Sequence, residues 1–318
     1  MNALFVLYIF AVISGLVGLW LSGDWVVTNA IAVAHRYNVS TFFLGFVILA
    51  LAADIPELAI TISSAMNGVS AVALGDIIGG NFSDVTMVVG SALLLAGSKI
   101  QVSAGDKHKL LGILLITSTI MLALLALGSI TKLHGLILVC LYVISIIYFW
   151  KRRDMHDLLH EAEAPASPSN DPSWLLISRL VGGLVAVMGA SHLTVNAALG
   201  IADFMNLPPE TIGATILGVG TTLPELALCL GALRRGDFGL AIGPTLGTVL
   251  GQTTLILGTL ALLSDQPVPL DRLGWACAFM FVAFGILAMG LVKRRPMGRG
   301  TGAALVSLFI TYLAYQVM

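Results

Sequence analysis

Charge is what this chain has least of. Asp, Glu, Lys and Arg make up 10% of its 318 residues, and 17 acids nearly cancel 16 bases. So neutral a chain lacks the basic surface that binding to nucleic acid requires. Cysteine is almost as scarce. Cys140, Cys229 and Cys277 stand apart in apolar segments, so they form no disulfide framework or thiolate metal centre and read as packing residues. The N-terminus has no basic stretch and no small-residue cleavage site, and its first apolar run reads as a retained helix.

What the chain has instead is hydrocarbon. Hydrophobic residues make up 58% of it, in runs near twenty residues that recur from end to end. That is the pattern of a polytopic helical membrane protein in a lipid bilayer. Ten spans are predicted, over 3–22, 40–66, 71–97, 108–128, 133–150, 174–200, 209–233, 239–264, 271–293 and 300–317. The semi-polar stretch 23–38 reads as either a helical extension or an interfacial turn. Segment 151–173, with its Pro/Ser/Asn/Asp tail, reads as a flexible linker. It divides the chain into a five-span half over 1–150 and another over 174–318. Thirteen Lys and Arg fall in the loops after the odd-numbered spans, against Lys132 and Arg272 on the opposite side. The positive-inside rule then makes the linker cytoplasmic and puts both termini outside.

Two stretches break the apolar pattern. In Ala52-Ala53-Asp54-Ile55-Pro56-Glu57-Leu58, two acids lie inside a hydrophobic span. Each costs about 2.5–3.5 kcal/mol at a helix centre, and such acids usually face a cavity or an ion path. Pro56 has no N–H for the carbonyl of Ala52, which is freed beside Glu57. Gly220-Thr221-Thr222-Leu223-Pro224-Glu225-Leu226 repeats the device 168 residues later, and there Pro224 frees the carbonyl of Gly220. Oxygens grouped in this way suit a hard cation. Two matched, Pro-broken, acid-bearing helices point to a transport site at the bilayer midplane.

At the same offset, Gly45 falls on Gly213, Ala59 on Ala227, Gly68 on Gly236, Gly79 on Gly247, Thr86 on Thr254 and Gly90 on Gly258. In all there are thirteen identities in 46 positions. An odd number of spans per half turns the second half over in the membrane, so the repeat is inverted. The expected fold is therefore all-α, with ten transmembrane helices in two inverted five-helix repeats and Pro-broken helices 2 and 7. Gly75-x-x-x-Gly79-Gly80 and Gly243-x-x-x-Gly247 predict close helix packing.

The paired motifs ADIPELAITIS and GTTLPELALCL, each followed by GDIIGGNFSD or GPTLGTVLGQ, resemble the α-repeats of the cation/calcium antiporter superfamily. The likeness is greatest to its prokaryotic sodium/calcium exchanger branch. The resemblance implies a secondary antiporter, not an enzyme, that exchanges a divalent cation, Ca²⁺ first, for Na⁺ by alternating access in the inner membrane. It needs no resident cofactor, because its ions are cargo. By motif position it implies Glu57 and Glu225 as bridging carboxylates. The neighbouring hydroxyl positions are Ala53 and Asp54 in the first repeat and Thr221 and Thr222 in the second. The small polar positions on the following helices become Gly80 and Thr248, and the Asn/Asp positions become Asp84 and Gln252. Carbonyls of Ala52 and Gly220 complete the oxygen set. This chain departs from the family pattern at Asp54, where Ser is typical, and at Gly80, where Ser is usual. The amide and carboxylate of the Asn/Asp pair are also exchanged between repeats.

Other readings of these residues stand beside this one. Asp54 and Glu57 share a helix face and offer a place for an exchangeable proton, so coupling to H⁺ is the alternative to Na⁺. Leu74-Gly75-Asp76 matches part of an intramembrane aspartyl protease motif, but its first glycine is Ala73 here. Asp76 reads better as a helix cap. His156 and His160 have metal-ligand spacing within a segment that reads as solvated loop. Asp24, Asn29, His192 and Asn196 read as helix-end polarity.

Overall fold

The computed structural model describes residues 3–66, 70–97, 119–123, 126–151, 171–204, 218–264, 266–267, 270–292 and 298–317. They are almost entirely helical; the exception is a two-residue antiparallel pairing of Ser129–Ile130 with Gln266–Pro267. Linker residues 152–170, most of the predicted span 108–128 and residues 209–217 of the predicted span 209–233 lie outside the described residues, as do His156 and His160.

Helix α1 (Ala3–Tyr37) takes in the semi-polar stretch as a helical extension and ends where Asn38 turns to φ 51°. The next long helix begins at α2 (Thr41–Phe43), capped by Ser40, whose hydroxyl accepts from the Phe43 N–H at 3.1 Å. It continues through a π-helical turn (Leu44–Leu49) into α3 (Ala50–Met66). The third is built alike: α4 (Ser70–Ser83), a π-turn (Asp84–Val89), then α5 (Gly90–Ala96). After these come α6 (Lys132–Lys151), α7 (Ser173–Phe204), the single turn α8 (Gly218–Gly220) and α9 (Leu223–Arg235). Then α10 (Phe238–Gly251) passes through a π-turn (Gln252–Ile256) into α11 (Leu257–Leu263), followed by α12 (Leu270–Val292) and α13 (Arg299–Val317). Five of these stretches are long and apolar enough to cross a membrane: Leu4–Tyr37, Ala73–Ala96, Lys132–Lys151, Ser173–Thr194 and Phe238–Leu263.

The two prolines act differently. At Pro224 the chain leaves the helix at Thr221 and Thr222 and restarts, with the proline in the first turn of α9. At Pro56 it does not, and α3 runs through the proline without a break. The expectation of a Pro-broken helix 2 is thereby corrected. Local propensity explains the contrast. Ala52 and Ala53 precede Pro56 and favour helix, whereas Gly218, Gly220 and two threonines precede Pro224 and do not.

The packing is inside out compared with a soluble protein. Leu7, Phe10 and Trp20 of α1, Ile144 of α6, Val185 of α7, Phe281 of α12 and Ile310 of α13 are exposed, while Asp54, Glu57, Asp84 and Glu225 are buried. Every residue of α10 is buried. A Cβ at Gly243 would lie 2.8 Å from the Phe42 carbonyl oxygen, and one at Gly247 would collide with that of Phe46. The predicted close approach thus holds for the Gly243/Gly247 pair. Gly79 has nothing within 4 Å of a Cβ position.

Around this centre the contacts come in pairs. α6 lies on α11, with a Gly135 Cβ position 2.7 Å from the Gly258 carbonyl oxygen. α13 lies on α5, with a Gly302 Cβ position 2.7 Å from the Gly90 carbonyl oxygen. α1 and α7 pack along one another, Gly15 against Thr194 and Gly183 against Val26.

Candidate functional site

Four helical stretches converge at the centre. α3 packs on α4, α10 and the Gln252–Ile256 turn, while α9 packs on α10 and the Asp84–Val89 turn. Asp54, Glu57 and Thr61 follow one another at helical spacing on α3, which puts them on one face. Asp84 and Gln252 each open a π-turn, a local widening common at functional sites. Glu225 sits in the first turn of α9, where the N-terminal end of the helix favours negative charge.

Among the described residues, nine buried side-chain oxygens here have no hydrogen-bond partner: both of Asp54, one each of Glu57, Asp84 and Glu225, and those of Thr61, Asn81, Thr245 and Gln252. Leaving one such group unsatisfied costs roughly 1–3 kcal/mol, more if it is charged. No nitrogen is among them. The described ion pairs, Arg179 with Asp171 and Arg235 with Asp24, lie at the part-exposed periphery. Among the described residues, then, no base is paired with the four central carboxylates. Asp54, Glu57, Asp84 and Glu225 are close enough for their charges to act on one another. Yet no three Asp, Glu, His or Cys side chains among the described residues form a ready metal cluster. Amide and hydroxyl oxygens must complete any shell, as suits a cation that takes six to eight oxygens.

Contacts across the centre account for the unusual residues. The Thr248 hydroxyl lies 3.2 Å from an Asp84 carboxylate oxygen and 2.9 Å from the Thr245 carbonyl, and has one proton to donate to either. A Cβ at Gly80 would stand 3.1 Å from the Gln252 amide oxygen, so the long amide occupies the space that Gly80 leaves. Asp54 seats its carboxylate against Gly251, where any Cβ would displace it. Here a glycine is what admits a carboxylate in place of a hydroxyl.

The other expected residues fall as follows. Thr222 is buried and Thr221 half-buried at the break before α9, and Ala52 is half-buried within α3. The carbonyl that Pro224 frees at Gly220 has a partner, the Ser191 hydroxyl of α7, which donates at 2.9 Å. Asp76 is the seventh residue of α4, too far in to cap it, and its charge reaches Glu57. Asp24 pairs with Arg235, and Asn29 donates to the Trp25 carbonyl at 2.8 Å. His192 and Asn196 are exposed. Sequence reasoning missed Thr61, Asn81, Thr245 and Ser191. A cavity of 530 Å³ at the end of α9, lined by Leu95, Leu233, Arg234 and Phe238 among others, includes none of the buried carboxylates.

Comparison with known proteins gives a consistent result. The family described as sodium/calcium exchanger protein matches residues 7–151 and 175–318. The protein CaxA of Alkalimonas amylolytica is 28% identical over 308 residues, covering 95% of this chain and 96% of the relative. Sodium/calcium exchanger MaX1 of Methanosarcina acetivorans is 25% identical over 344 residues, covering 94% and 95%. Among solved structures, the sodium-calcium exchanger NCX_Mj soaked with Na⁺ and Ca²⁺ superposes with a TM-score of 0.81 at 24% identity, over 100% of both chains.

Proposed function

We propose that this chain, which belongs to the sodium/calcium exchanger protein family, is a secondary antiporter that exchanges Ca²⁺ for Na⁺ by alternating access. One observation carries the reading: nine buried oxygens without partners, from four helical stretches, with no nitrogen among them. Such a set attracts a hard cation and offers nothing to an anion. Glu57 and Glu225 face the divalent ion from opposite halves. Asp54, Asp84, Thr248 and Gln252, with Thr221 and Thr222 at the break, supply the flanking monovalent positions. The ions are cargo, and no resident cofactor enters the scheme.

The architecture that goes with it is ten helices in two inverted repeats, over 1–150 and 174–318, joined by a cytoplasmic linker at 151–173. Both termini lie outside a prokaryotic inner membrane. Three features support the repeat. The π-turns at Asp84–Val89 and Gln252–Ile256 begin 168 residues apart. The contacts of Gly15 with Thr194 and of Gly183 with Val26 exchange under the same offset. So, within one residue, do those of Gly135 with Gly258 and of Gly302 with Gly90.

A second reading, coupling to protons, has one observation in its favour. Asp54 has both oxygens unpartnered and adds a fourth acid to the three that Glu57, Glu225 and Asp84 provide. Four unpaired carboxylates would cost roughly 10–14 kcal/mol on the insertion scale, so one of them carries a proton or is balanced by a bound cation. Ca²⁺ uptake into proteoliposomes separates the readings. A Na⁺ gradient drives it under the first, a pH gradient under the second.

A further inference from the structure

The hydrogen bond from Ser191 to the Gly220 carbonyl has no role in the ion set, and it occurs where the chain is least regular. Pro224 cannot donate to Gly220 as the next helical turn would. The donor comes instead from another helix: the buried Ser191 hydroxyl of α7 reaches the carbonyl at 2.9 Å. A buried carbonyl left bare would be costly, so α7 completes the break between α8 and α9.

α7 does not act alone, since α1 and α7 pack along one another. This pair sits unevenly on the core. α1 lies closely on α9, where a Gly23 Cβ position would be 2.9 Å from the Ala227 carbonyl oxygen, whereas among the described residues α7 touches α3 only lightly. The 168-residue offset maps the first contact onto the second. In an inverted-repeat antiporter the two facing states exchange such contacts, so the pair must shift relative to α9. The first-repeat counterpart of Ser191 is Gly23, which has no hydroxyl, and α3 is unbroken at Pro56.

We infer that Ser191 is a one-sided conformational latch, a positioning residue that ties α7 to the Gly220 carbonyl in one facing state and releases it in the other. The inference rests on the antiport reading above. A bond made in only one state biases the equilibrium between states without touching the ion. Removing it weakens the apparent affinity for Ca²⁺ on one membrane face and strengthens it on the other.

The test measures half-saturating Ca²⁺ for exchange in right-side-out and inside-out vesicles carrying the full chain. Ser191→Ala is expected to move the two values in opposite directions by about two- to tenfold, the range for one neutral hydrogen bond. Ser191→Thr, which keeps the hydroxyl, is expected to hold both at wild type. Ser191→Cys, similar in volume but a poor donor, takes the place of the alanine variant if that fails to insert. No shift, or shifts in the same direction on both faces, would overturn the latch. Should the wild-type chain exchange no Ca²⁺ at all, the antiport reading falls first, and backbone hydrogen exchange then tests the latch separately. The amides of 218–222 must exchange faster in Ser191→Ala and Ser191→Cys but not in Ser191→Thr, and unchanged rates in the first two would overturn it too.

Discussion

At the scale of single residues, the acids announce themselves and the neutral oxygens do not. A carboxylate amid hydrocarbon is too costly to be incidental, which is why Asp54, Glu57, Asp84 and Glu225 stand out in the sequence. A threonine in a helix commonly donates to the carbonyl four residues back, as Thr86 does to Phe82 and Thr253 to Val249. Nothing in the sequence marks Thr61 and Thr245 as the ones that do not. Asn81 likewise spends its amide on the Ile77 carbonyl at 2.8 Å and leaves its oxygen bare.

Two predictions belong at this scale. Asp54→Ser restores the neutral hydroxyl and should flatten the pH dependence of exchange while divalent binding persists. Asp84→Asn should instead weaken ion affinity, because Gln252 brings no replacement charge. Exchange rates against pH and Na⁺ for both variants check this; an unchanged pH profile in Asp54→Ser would mean that Asp54 carries no exchangeable proton. The second concerns Gly80 and Gln252, which share one space. Gly80→Ser should crowd the amide, and Gln252→Asn should relieve it. The double variant should therefore be more stable than the single effects sum to, with a coupling of about 0.5–3 kcal/mol. Additive melting shifts would show that the two do not share that space.

At the scale of elements, most helices lie within a residue or a few of where hydrophobic periodicity puts them: the predicted 133–150 is Lys132–Lys151, and 271–293 is Leu270–Val292. The π-turns were not legible, since one extra residue per turn leaves no mark in composition. The behaviour of the prolines was legible in part, through the alanines before Pro56 and the glycines before Pro224. The difference has a measurable consequence. Pro56 lies inside a continuous helix, where proline costs about 3 kcal/mol against alanine. Pro224 lies in a first turn, where its missing N–H matters little. Pro56→Ala should raise thermal stability clearly more than Pro224→Ala does, and equal shifts would argue that both helices are broken alike.

At the scale of the molecule, the repeat offset and the basic-residue asymmetry were open to view from the start, whereas the burial of the acids at one centre required the fold. The topology is testable by cysteine labelling in intact cells. A cysteine near Met318 should react with an impermeant reagent from outside, and one in the 151–173 linker should not. The reverse result would invert the molecule. The central claim, that four stretches enclose an oxygen site for exchanging Ca²⁺ against Na⁺, is tested most directly by radioactive Ca²⁺ uptake into Na⁺-loaded proteoliposomes. The predicted result is uptake by the wild-type chain that collapses with the Na⁺ gradient and is lost in Glu57→Gln and in Glu225→Gln, both inserted normally. Wild-type flux through either variant, or uptake indifferent to Na⁺, would contradict it.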